Sequence, residues 1–318
     1  MRAPAAGLAL ALAAVVLVGG CGDGEGSAAA GDLVQGRLGD IDGTSYPLSL
    51  PNGRLTFIVG DGQPSISQTE AADGQTHEAP DGTEWVALDW RLEPGEGVEP
   101  FQRALMEDKA QRTGLTLSTG DETVDLGEAP GSTTTPAATR TSGTVYVAAD
   151  TGSAPVIEVT FDGVTASIDT STGEVSGDRA DAISELAAPV ADDCPPLRGS
   201  GVQAEITCSY LVTTVPYLAG SGWSDDGWTV AQVETRGDTF VRGRGTYAVQ
   251  GTEDGSGFDG TTGSSTVADE LLNRLTTRVV AKGEPAQLDI VRRLSGLLTD
   301  GKGPEDATAE VSATVDLG

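Results

Sequence analysis

The chain has 318 residues, enough for about two domains of ordinary size, and it is strongly acidic: 48 Asp and Glu face 19 Lys and Arg, for a formal net charge of −29. Such a chain repels phosphate backbones and anionic lipid head groups, which excludes nucleic acid as a partner. With one histidine and three cysteines there is no ligand set for zinc or another His/Cys-bound metal.

At the N-terminus Arg2 precedes an unbroken apolar run over residues 5–18, which ends at Gly19-Gly20-Cys21. The run is too short to span ~30 Å of hydrocarbon as a helix, so it reads as an export signal and not as a membrane span. An ordinary secretory signal cut near Gly20 is one reading of it. The other rests on Val18-Gly19-Gly20-Cys21, which resembles the lipobox of bacterial lipoproteins of the Gram-positive, actinobacterial type, with Val where Leu is commoner. That resemblance implies a signal peptide over 1–20 and a diacylglycerol thioether on Cys21. At ~0.8 kcal/mol per buried CH₂, two chains hold a protein firmly on a membrane. The implied location is the outer face of the cell membrane. Residues 21–32, rich in Gly, Ala and acid, read as a flexible tether, and the folded part begins near Leu33.

From there the apolar period is mostly two. Leu55, Phe57 and Val59 alternate, as do residues 84–90 around Trp85, then Val145 and Val147, Ile157 to Phe161, and Val164 to Ile168. These read as strands of half-buried sheets, with Asp162-Gly163 as a tight hairpin turn. Pro100 near the start and Gly114 past the end predict a short helix over 99–112. A second is expected from Asp178 to Ala187. Residues 127–143 form a Thr- and Pro-rich loop, suited to O-glycosylation or simply mobile. At 266–298, Val267, Leu271, Leu275 and Val279 fall at helical spacing. The reading here is a short helix over 267–274 and strands after it. Ala309 to Leu317 is the cleanest alternation in the chain. The stretch from Thr144, after Trp85, resembles that from Thr277, after Trp228. Both read strand, Gly-Pro turn, strand, which suggests an internal duplication.

The expected fold is mainly β: two tandem antiparallel β-sandwich, immunoglobulin-like domains with one or two short helices, covering 33–190 and 191–318. The folded part loosely resembles the immunoglobulin-like surface lipoproteins of Gram-positive bacteria. Cys194 and Cys208, in an oxidising compartment, are expected to form a disulfide worth ~3 kcal/mol.

Chemistry is sparse. His77 lies in a polar stretch, and no Gly-x-Ser-x-Gly accompanies it, so no Ser-His-Asp triad is legible. No cofactor is called for. Asp40, Asp42, Asp254 and Asp259 sit in acidic Gly-containing loops of the kind calcium favours, but no bidentate Glu follows at the twelfth position, and each reads first as a turn. Trp223 and Trp228 flank Asp225 and Asp226, which reads either as an exposed binding tip or as two core indoles joined by a turn. The expected function is a non-enzymatic, lipid-anchored envelope module that binds an envelope protein or polymer. The alternative is a ligand-capturing, solute-binding lipoprotein; a hydrolase working through scattered carboxylates comes third.

Overall fold

The computed structural model describes residues 29–37, 41–108, 111–120, 122–129, 142–258, 264–269 and 273–318. Cys21, Asp40, Asp259 and residues 130–141 of the loop expected over 127–143 lie outside them; the ends of that stretch, 127–129 and 142–143, are in strands. The first half carries β1 (Leu33–Gln35), β2 (Thr44–Leu50), β3 (Gly53–Val59), the short pair β4 (Ser65–Ile66) and β5 (His77–Glu78), and β6 (Thr83–Pro94). Helix α1 (Pro100–Met106) follows, then β7 (Thr113–Thr119), β8 (Glu122–Ala129), β9 (Ser142–Asp150), β10 (Val156–Phe161), β11 (Val164–Asp169) and β12 (Val175–Ser176). They build two five-stranded antiparallel sheets, in the orders β1-β9-β6-β3-β2 and β12-β11-β10-β7-β8.

Alternation explains how these sheets meet. Leu55 and Phe57 of β3, Leu88 and Trp90 of β6, and Val147 of β9 point one way. They close on Leu115 and Leu117 of β7, Ile157 and Val159 of β10, and Ile168 of β11, all buried in one cluster. The other face of β6 and β9 is covered too. Trp85, Ala87, Tyr146 and Ala148 lie under Ile66 and Ala71 from the segment between β3 and β6. Hence Trp85, Val86, Ala87 and Leu88 are consecutively buried: a central strand with both faces covered loses the in–out alternation. The Asp162-Gly163 turn joins β10 to β11 with φ of 46° and 76°, the doubly positive geometry of a two-residue hairpin.

The second half is β13 (Val190–Asp193), β14 (Val202–Leu218), β15 (Gly222–Arg242), β16 (Arg244–Asp254), β17 (Gly257–Phe258), β18 (Ser264–Asp269), β19 (Arg274–Lys282), β20 (Gln287–Lys302) and β21 (Asp306–Asp316), joined in one nine-stranded antiparallel sheet. Long β15 divides its partners: Thr229–Arg236 pairs with β19, and Thr239–Arg242 pairs with β16. The sheet coils on itself, and the segment after β13 bridges to β21. Arg198 and Ser312 exchange both main-chain hydrogen bonds, each 2.9 Å. The Cys194–Cys208 disulfide ties that segment to β14.

The mainly β, sandwich-type fold is as expected, but its helices are fewer. The helix expected over 99–112 stops at Met106. Asn52 bonds both the N–H and the C=O of Asp108, 3.0 and 3.2 Å, and so fixes that residue outside the helical ladder. Residues 178–185 are turns, with Ile183 buried in the core and half-buried Ala180 packed against it. The helix expected over 267–274 is replaced by β18, paired to β19 across Asn273, whose φ is 48°. The apolar positions recur there every four residues, and four is also a multiple of the strand period of two. The two stretches read as a duplication share a strand–turn–strand order, but then part. The first turns back at Asp162 in a separate sheet, whereas β20 runs unbroken for 16 residues. The strands group before and after residue 190, yet the first core does not end there: Val215, Tyr217 and Val230 are buried within it.

Candidate functional site

The cover over the outer face of the first sheet leaves a gap. It is a pocket of about 470 Å³, within the ~300–1,000 Å³ range of small-molecule sites. Its floor is Ala87 of β6 with Thr144 and Tyr146 of β9; its walls are residues 60–63 after β3, Thr69 and Glu70, and Arg37, Ile41 and Asp42 after β1. Main-chain bonds hold these walls. Gly36 N–H donates to Thr144 O at 2.9 Å, and Arg37 N–H to Glu70 O at 2.7 Å. Gly60 N–H donates to Ala87 O at 2.9 Å, and Gln63 exchanges a pair of bonds with Trp85 at 2.8 and 2.9 Å. Gly36 is a close-approach glycine: a Cβ there would lie 2.7 Å from Thr144 Cγ2.

The pocket is polar. Asp42, Asp61 and Glu70 give it three carboxylates. Glu70 also accepts the Ser67 N–H at 2.8 Å. Arg37 supplies the one cation, and its Nε donates to Ala71 O at 3.0 Å. Thr144 is spent inward, donating to Asp89 at 2.7 Å. Tyr146 is not spent: only 4% exposed, it makes no hydrogen bond through its hydroxyl among the described residues. Burial, and then the negative charge of Glu70, push its pKa above the usual phenol value, so it stays a proton donor. The side-chain nitrogen of Gln63 is buried without a partner. A buried donor without an acceptor costs ~1–3 kcal/mol.

The residues singled out from sequence fall elsewhere, with one exception. Asp42 lines the pocket. Asp254 sits inside the second sheet as the ion-pair partner of Arg292. Among the described residues no group of three His, Cys, Asp or Glu is placed to hold a metal ion. Trp223 and Trp228 are committed to packing. Trp223 Nε1 donates to Phe161 O at 3.1 Å, its ring meets Tyr217 edge-on at 5.2 Å, and Arg179 lies over it at 5.6 Å. Trp228 Nε1 donates to Gly222 O at 2.9 Å. Residues 224–227 form a bulge in β15, because Tyr217 pairs with Trp223 and Val215 with Trp228. Of the two acids in it, Asp225 pairs with Arg179, and Asp226 lies 4.0 Å from Lys282. His77 forms a surface pair with Asp73 at 3.0 Å.

What sequence reading missed was Tyr146 with Asp61, Glu70, Gln63 and Arg37. The one local signal was a phenol inside the apolar run Val145-Tyr146-Val147. No family model matches this chain, and comparison with curated proteins and with solved structures finds no significant similarity. Among the described residues no helix is long and apolar enough to cross a membrane.

Proposed function

We propose that this chain is a lipid-anchored extracytoplasmic binding protein, non-enzymatic, that holds a small polar ligand in the pocket against β6 and β9. The anchor rests on the lipobox-like Val18–Cys21 sequence. The binding role rests on one observation: Tyr146, a residue only 4% exposed, lines a pocket of ligand size with a hydroxyl that makes no hydrogen bond among the described residues. This favours ligand capture over docking of an envelope protein or polymer through surface loops.

Thermal unfolding of the detergent-solubilised full chain against a metabolite panel tests the binding role. A ligand at 100 times its Kd adds ~2.7 kcal/mol, several degrees for a chain of this size. The shift is expected to vanish in Thr69→Trp, which fills the pocket from an exposed wall position. A flat panel would return the reading to surface interaction. Labelling with a fatty-acid analogue tests the anchor: wild type is expected to be labelled and membrane-bound, and Cys21→Ser unlabelled and released.

A further inference from the structure

We infer that the pocket selects a small organic cation that also carries a hydrogen-bond acceptor, the chemistry of an amino sugar or a basic amino acid. The inference rests on the pocket being the binding site, and adds what the site would recognise.

Charge comes first. Asp42, Asp61 and Glu70 outnumber Arg37 three to one in the lining. Arg37 pairs with none of them among the described residues, its Nε being given to Ala71 O. An anionic ligand would meet that excess as repulsion. The three carboxylates do not converge closely enough to cage a metal ion. An organic cation, with its N–H groups spread over several atoms, does not need the close convergence that a metal ion does.

Polarity adds the second requirement. The Tyr146 hydroxyl lines the pocket and makes no hydrogen bond among the described residues, and the Gln63 side-chain nitrogen is buried without an acceptor. The raised pKa of Tyr146 keeps that proton in place across the physiological range. A bare diamine would satisfy the carboxylates and leave both donors unmet. A ligand with an ammonium group and a hydroxyl, carbonyl or carboxylate oxygen satisfies both sets.

The test is calorimetric titration of the full-length protein in detergent with six probes: glucosamine, L-lysine, putrescine, glucose, succinate and calcium chloride. Glucosamine or lysine is expected to bind at least tenfold more tightly than putrescine, glucose and succinate. Tyr146→Phe, which keeps the ring and its packing, is expected to weaken that binding about tenfold, the effect of one lost hydrogen bond near 1.4 kcal/mol. The Asp42→Asn/Asp61→Asn pair is expected to weaken it by a similar factor and to remove its salt dependence. Circular dichroism and the thermal midpoint establish that the variants are folded. Equal or tighter binding of glucose, succinate, putrescine or calcium overturns the cation-plus-acceptor class. If that binding is lost in Thr69→Trp, the pocket reading survives. If none of the six binds, the class is overturned. The pocket reading then falls as well, unless the wider metabolite panel yields a ligand whose thermal shift Thr69→Trp abolishes.

Discussion

The two halves of the molecule bury their interiors in different ways. Between the first two sheets the packed cluster is apolar and continuous, from Leu48 to Ile168. Inside the coiled nine-stranded sheet the apolar side chains form two separate clusters, one around Val233, Leu288 and Ile290 and one around Phe240, Tyr247 and Leu294. Arg292 sits between them on β20. It is fully buried, and the only fully buried charged residue among those described. It pairs with Asp254, donates to Thr235 at 2.7 Å and to Ser256 at 2.6 Å, and leaves one Nη without a partner. Burial presses its pKa down, while Asp254 draws it back up. A dry core is stabilised by area; a core with a central ion pair loses part of that gain to desolvation.

Five sets of variants break or sharpen this contrast. The largest effects lie at the two centres. Phe57→Ala in the first core is expected to cost about 3–5 kcal/mol in urea unfolding, and no neighbouring change repairs the cavity. Arg292→Ala is expected to cost a similar ~3–5 kcal/mol, by stranding Asp254. Arg292→Met with Asp254→Leu should recover most or all of it. If the double variant is no better than the single, the ion pair is needed for the fold itself.

Next comes the disulfide. Cys194→Ser with Cys208→Ser is expected to cost about 3 kcal/mol by the loop-closure argument. Hydrogen exchange should quicken at Ser312, whose partner Arg198 lies on the segment that the disulfide fixes, and stay unchanged at β3 and β6. Quickening in both halves would mean that they unfold as one unit.

Tyr217 gives a pH-dependent test of the seam between the halves. Its hydroxyl donates to Asp108 at 3.3 Å; burial, then Asp162 and Asp108, raise its pKa. A raised folded-state value means that its contribution is whole below the unfolded phenol value of ~10 and is lost as pH climbs towards the folded value. Tyr217→Phe is therefore expected to be ~1.5 kcal/mol less stable at pH 7, with the gap narrowing above pH ~10. A constant gap would assign the loss to packing. The smallest effect is expected from Asp225→Asn. The carboxylate is 93% exposed where it pairs with Arg179, so ~0.5 kcal/mol or less, abolished by salt, is the expected change.

Much of the fold was legible because strand alternation is local. The edges of β3, β10, β11 and β21 follow directly from it, and Asp162-Gly163 fixes one hairpin. The errors share a cause. Val267 to Val279 kept a spacing compatible with both periods, and only pairing with β15 and β18 settles which applies. Val291-Arg292-Arg293 put two identical side chains in sequence; Arg292 is buried because it keeps the period of two with Leu288, Ile290 and Leu294, and Arg293 is on the surface, a distinction that only a strand reading of this stretch makes. The pocket was illegible for a stronger reason. Arg37, Asp61, Glu70 and Tyr146 come from four separate stretches of chain, brought together by the path of the cover over β6 and β9. Trp223 and Trp228 attracted notice because indoles are conspicuous, and the packing of Tyr217 and Phe161 had already claimed one of them.

The hairpin between β14 and β15 reaches back into the first core, where Val215, Tyr217 and Val230 are buried and Ala219 N–H donates to Leu105 O at 2.9 Å. A chain made from its N-terminus has synthesised every strand of the first two sheets long before that hairpin exists. Until some forty more residues follow, Phe161 and Leu105 face water where the hairpin will lie. The early strands therefore finish folding only when a distant segment arrives, which is a slow step by its sequence separation and a period in which apolar surface is open to wrong partners. A chain truncated near residue 190 is expected to bind a hydrophobic dye and aggregate, while the full chain does neither.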